Sequence, residues 1–186
     1  MDKVIVGCVQ QRLRLHEDVD GCRKDLARFL RLAQAKKATL FVFPELMGMM
    51  TVPPLLQGVR ATLLKREDRA RRPGVSLWTR AKSKMAGTTA GVLKADLRQH
   101  LSKLLLEDPG LAWDAYCDLF AGAAREYGMI IVAGSGYFPD EVSGRIVNQA
   151  VVFGPDGDIL GRQAKASLSA DDEGLAEPGM AWSVAD

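Results

Sequence analysis

Histidine is nearly missing from this chain: His16 and His100 stand alone, which removes the basis for a histidine metal centre. The three cysteines, Cys8, Cys22 and Cys117, are odd in number and lack metal-ligand spacing. Reduced, buried thiols in a cytosolic protein are the plain reading, rather than a disulfide framework or a zinc site. No uncharged apolar run approaches the length of a membrane span. The opening residues, Met1-Asp2-Lys3-Val4-Ile5-Val6, enter a strand directly and leave no room for a signal peptide. A cytoplasmic protein without membrane span, metal or cofactor is therefore expected. Phosphate-loop chemistry is missing too, because Gly134-Ser135-Gly136 lacks the lysine and the spacing it needs and reads as tight turning between strands.

What is present suits one domain. At 186 residues, with 47% hydrophobic and 26% charged residues, the chain can bury a real core. The net charge of +2 hides an asymmetry: residues 55–110 hold twelve Lys/Arg against five Asp/Glu, and the remainder thirteen against eighteen. A basic segment of this kind can contact nucleic acid or anionic lipid. Here, apart from Trp78, no aromatics interleave the charges as stacking platforms would, so solvated faces of amphipathic helices are expected and nucleic acid is not.

Val4 to Gln10 reads as a buried strand, and Val19 to Lys37 as a helix with Val19, Cys22, Leu26, Phe29, Leu30 and Ala33 at helical spacing and Asp18 as cap. Leu40 to Phe43 is a second strand, so a right-handed βαβ unit with a parallel pair is predicted. Pro53-Pro54 and Pro73-Gly74 break the chain, and helices are predicted near 75–85 and 93–106. A further helix runs over 112–127, with Tyr116, Leu119, Phe120, Ala123 and Tyr127 inward. Strands follow at 129–133, 146–153 and 159–163, the last two joined across Gly154-Pro155-Asp156-Gly157-Asp158 as an antiparallel hairpin.

Two places carry chemistry. The strand at 40–43 stops at Pro44 and delivers Glu45 at the edge of the core, where partial desolvation can raise a carboxyl's pKa and make it a proton acceptor. On these residues alone an acid opening a solvated loop is the plainer alternative. Lys165 leaves the end of the last strand, with Glu173 eight residues on. Such a lysine can clamp a developing oxyanion, though a surface salt bridge is the commoner use.

Together these pieces resemble the nitrilase, or carbon–nitrogen hydrolase, superfamily. The first strand, the helix at 19–37 and Leu40–Gly48 look like its opening βαβ unit with the Phe-Pro-Glu signature. Gly134-Ser135, Asn148 within Val147–Val152, and Gly154-Pro155-Asp156-Gly157 match its second block, and order and spacing agree over about 1–50 and 112–180. The resemblance implies an α/β fold, the N-terminal portion of a four-layer α-β-β-α sandwich. It also implies one partial domain over 1–186 with a basic helical insertion at about 55–110. It implies a non-peptide amide or nitrile as substrate, further copies of the chain in a homo-oligomer, and catalytic roles for Glu45 (base), Lys165 (oxyanion donor) and Glu173 (orienting Lys165 or substrate). Gln163 and Ser167 stand where members often carry an aromatic and a histidine, which leaves the subfamily undefined.

The resemblance also implies a nucleophilic cysteine roughly 20 residues beyond Gly179, completing a Glu–Lys–Cys set. Cys8 lies in the first strand, Cys22 on the core stripe of the first helix and Cys117 within a later helix, so none of the three fits. Met180 to Asp186 reads as the start of the strand leading to the nucleophile. The expectation is thus a truncated hydrolase domain that is inactive by itself, and the competing one is a nitrilase-like pseudoenzyme subunit with an assembly role.

Overall fold

The structure is a computed structural model, and it describes residues 4–11, 14, 16, 18–52, 102–103 and 107–179. The helix predicted at 75–85, nearly all of that at 93–106, and the strand start at 180–186 lie outside the described residues. The elements are β1 (Val6–Cys8), α1 (Val19–Ala35), β2 (Leu40–Val42), a 3₁₀ turn (Met47–Thr51), α2 (Pro109–Tyr127), β3 (Ile130–Pro139), β4 (Ile146–Phe153) and β5 (Ile159–Ala164). They build one sheet in the order β1-β2-β3-β4-β5. β1, β2 and β3 run parallel, and β3, β4 and β5 antiparallel.

Local chemistry explains the helices. The Asp18 side chain accepts from Gly21 N at 2.7 Å and starts α1, whose Cys22, Leu26, Leu30 and Ala33 form one buried stripe. α2 begins earlier than residue 112, because Asp108 caps Leu111 N at 3.1 Å and Pro109 occupies the first turn, where its missing N–H costs nothing. It ends at Gly128 in the left-handed conformation, φ 60°. The two helices pack on each other and on the sheet face carrying Phe41, Ile131, Val151 and Phe153, and Tyr116, Phe120, Phe138 and Phe43 interlock there.

The fold is α/β, with one helical layer on one sheet among the described residues. The described strands form a single sheet. Its other face alternates with the core face at the strand period of two and stays apolar but only half covered: Leu40, Val42, Ile130, Val132, Ala150 and Val152 are partly buried and Val6 is 48% exposed. No described helix is long and apolar enough to cross a membrane.

One sequence expectation needs correction. Gly134-Ser135-Gly136 does not turn between strands; β3 runs through it to Pro139. The irregularity is a bulge, a register shift between Val132 and Ser135 with Gly134 at φ +71°. A side chain at Gly134 would collide with the Pro44 carbonyl oxygen. Gly134→Ala is therefore expected to destabilise the fold by about 2–3 kcal/mol, combining left-handed strain with overpacking. Urea denaturation against wild type measures it.

Candidate active site

Glu45 is delivered by a braced turn. Phe43 N still bonds Val132 O at 2.9 Å, continuing the β2–β3 ladder, and Pro44 then removes the next donor. Leu46 takes the left-handed conformation (φ 59°) and donates its N–H to Ser135 Oγ at 3.0 Å. The wholly buried 3₁₀ turn Met47–Thr51 follows and anchors the segment.

Lys165 is fixed just past β5, where its N–H donates to Asn148 O at 2.8 Å and its carbonyl accepts from Gly179 N at 2.9 Å. Its ammonium reaches Glu45 Oε1 at 2.7 Å across 120 positions of sequence, Asp172 Oδ2 at 2.8 Å and Ser169 Oγ at 3.2 Å. The fold thus brings Glu45 and Lys165 together. Glu173 is exposed, and the acid buried against Lys165 is its sequence neighbour Asp172, 0% exposed.

Asp172 is well satisfied. It accepts from Lys165, from Ser169 N at 2.8 Å and Oγ at 2.7 Å, and from Asn148 Nδ2 at 2.8 Å, with the Tyr137 hydroxyl 3.2 Å from Oδ1. Burial alone would raise this carboxyl. The hydrogen bonds from Lys165, Ser169 and Asn148 outweigh burial and hold it well below the usual carboxylate range. Lys165 is pushed up in turn, by the bonds to Asp172 and then to Glu45. Asn148, 1% exposed, also gives its Nδ2 to Glu45 Oε1 at 3.0 Å, so one amide joins both acids.

Glu45 sits at the edge of the core with its side chain 55% exposed, and paired donors rather than burial fix it. It opens on a cavity of about 490 Å³ lined by Phe43, Ser135, Asn148, Gln163 and Lys165 among others. Sequence reading passed over Asp172, Ser169 and the side chain of Asn148. A local signal exists in Ser169-Ala-Asp-Asp172, whose ends bond reciprocally in the manner of a capping box, with Asp172 N donating to Ser169 O at 3.0 Å. An ammonium, two carboxylates and an amide at a cavity edge can accept a proton and stabilise a developing negative charge.

No curated protein matches the chain. Among solved structures, a cysteine-to-alanine mutant of the amidase from Nesterenkonia sp. AN1 in complex with butyramide is similar at TM-score 0.56 and 16% identity, over 95% of this chain and 48% of that one. A carbon–nitrogen hydrolase from Helicobacter pylori G27 is similar at TM-score 0.53 and 18% identity, over 95% and 45%. A glutamate mutant of the Nesterenkonia amidase, with acrylamide added at its active-site cysteine, is similar at TM-score 0.56 and 15% identity, over 95% and 50%. The chain spans about half the length of these structures, and likenesses at such identities concern the fold. A sequence model of the carbon–nitrogen hydrolase family matches residues 5–185, nearly the whole chain. With its fold and that match in agreement, the chain belongs to the carbon–nitrogen hydrolase family.

Proposed function

We propose that Glu45 and Lys165 are the proton acceptor and the oxyanion donor of a hydrolase acting on a non-peptide amide. Its nucleophile would be a cysteine thiol supplied from outside residues 1–186. The 2.7 Å contact between Lys165 Nζ and Glu45 Oε1 at the cavity edge carries this reading. The butyramide and acrylamide complexes of mutants of the similar amidase favour a short amide over a nitrile.

Glu45 would take the thiol proton as sulfur attacks the amide carbon, and the carbonyl oxygen would gain its negative charge beside Lys165. Collapse breaks the C–N bond; nitrogen leaves as ammonia with the proton from Glu45, and a thioester remains. Water, losing its proton to Glu45, then attacks the thioester and releases the carboxylic acid and the thiol. An ammonium has three N–H donors and all three of Lys165 are engaged, so the oxyanion would replace Ser169, the longest contact at 3.2 Å. The orienting role expected of Glu173 falls more naturally to Asp172, which touches Lys165.

The thiols of this chain support an outside nucleophile. Burial pushes Cys22 up to about 12 and Cys117 up to about 12, and both sit in the helical layer. Cys8 is exposed on the edge strand β1.

A second reading, an inactive subunit with an assembly role, draws on the same saturation of Lys165, since a fully engaged ammonium also makes a good structural ion pair. Lys165→Ala, made in the thiol-complete protein, separates the two. With folding verified by circular dichroism, the hydrolase reading expects turnover of a short amide to fall about 100- to 1000-fold. A wild type without turnover, or turnover that the substitution leaves unchanged, would assign the pair to structure.

A further inference from the structure

We propose that Asn148 is a positioning residue that selects which oxygen of Glu45 accepts the proton. This rests on the reading of Glu45 as the proton acceptor. Asn148 touches all three charged members of the cluster: its carbonyl holds Lys165 N at 2.8 Å, and its Nδ2 gives one hydrogen to Glu45 Oε1 at 3.0 Å and the other to Asp172 Oδ1 at 2.8 Å. The orientation of the amide follows from its surroundings, because the reversed amide would set its carbonyl oxygen against two carboxylates.

That orientation leaves Asn148 Oδ1 buried without a hydrogen-bond partner among the described residues. An apolar side chain would avoid the penalty, so the arrangement favours donating two hydrogens over satisfying the residue itself. The consequence falls on Glu45. Its Oε1 carries both Asn148 and Lys165, while among the described residues no donor reaches Oε2. Oε1 is the anchored oxygen, and Oε2 is the one open to a thiol or a water at the cavity. Without Asn148 the half-exposed carboxylate pivots about its remaining bond to Lys165, and Oε2 loses its aim.

Asn148 is the only asparagine in the chain, so labelling asparagine with ¹⁵N gives a single side-chain amide signal. In the folded chain both of its hydrogens are expected to exchange with water at least about tenfold more slowly than a free amide, each bonded to an acid. Glu45→Ala should release one of them and Asp172→Ala the other. Fast exchange of either hydrogen in the wild type, or both responding to one variant, overturns the bridge. In the amide-hydrolysing protein, Asn148→Leu and the same-sized Asn148→Asp are each expected to lower kcat about 10- to 100-fold with KM unchanged, as misaligned groups do. If either variant folds and keeps full kcat while Glu45→Gln abolishes turnover, the positioning role is wrong and the hydrolase reading stands. If Glu45→Gln leaves turnover intact, the hydrolase reading itself fails.

Discussion

Glu45→Gln is expected to lower kcat/KM for a short amide by about 100- to 10,000-fold while leaving the fold intact. The substitution keeps the shape and one carbonyl oxygen, so Asn148 Nδ2 and Lys165 Nζ still find an acceptor where Oε1 stood. What disappears is the group able to take a proton from the thiol and later from water. The Glu45 side chain is 55% exposed, so little packing is disturbed and the urea midpoint should move little. A rate loss accompanied by a large stability loss would point to structural damage instead.

Asp172→Ala should be the most destabilising single change in the cluster, by about 1–3 kcal/mol, because it leaves the buried Asn148 amide and the partly buried Lys165 ammonium without a shared acceptor. The abandoned groups are named by the geometry: Lys165 Nζ, Asn148 Nδ2, Ser169 N and Ser169 Oγ all lose a bond shorter than 3 Å. The effect has a defined pH dependence. The folded-state pKa of Asp172 is lowered, so its contribution is complete above the unfolded carboxyl range, near pH 4, and drains away as pH falls further. Lys165 has the opposite sign: its raised pKa gives a contribution that is complete below about pH 10 and lost as pH rises through the folded value. Wild type and variant should therefore differ most between about pH 5 and 10 and converge toward acid. Chemical denaturation at stepped pH measures the gap, and a gap that widens toward acid would contradict the assignment.

Much of this was legible in the residues, for physical reasons that differ by element. Helix α1 could be read because its cap and its stripe Cys22-Leu26-Leu30-Ala33 are both local in sequence. The hairpin β4–β5 was legible from Gly154 to Asp158, whose composition admits little besides a turn. Glu45 and Lys165 stood out because each follows a strand end, where a side chain leaves the core. Other features depend on tertiary geometry that no local pattern encodes. Gly134 looked like a turn; what makes it necessary is the Pro44 carbonyl packed against it, 90 positions earlier in the chain. Asp172 and Glu173 are adjacent acids that sequence cannot rank, and only the loop closing through Ser169 decides which one turns inward. The half-covered apolar sheet face follows from strand alternation, but the order of the strands was needed to see it as one surface.

Replacing water with hydroxylamine as the acyl acceptor tests the central claim most directly, using butyramide and the thiol-complete protein. A thioester formed with Glu45 as proton acceptor predicts butyrohydroxamate and ammonia from the wild type and neither from Glu45→Gln. Hydroxamate at an equal rate from both proteins would remove Glu45, and the ion pair built around it, from the chemistry.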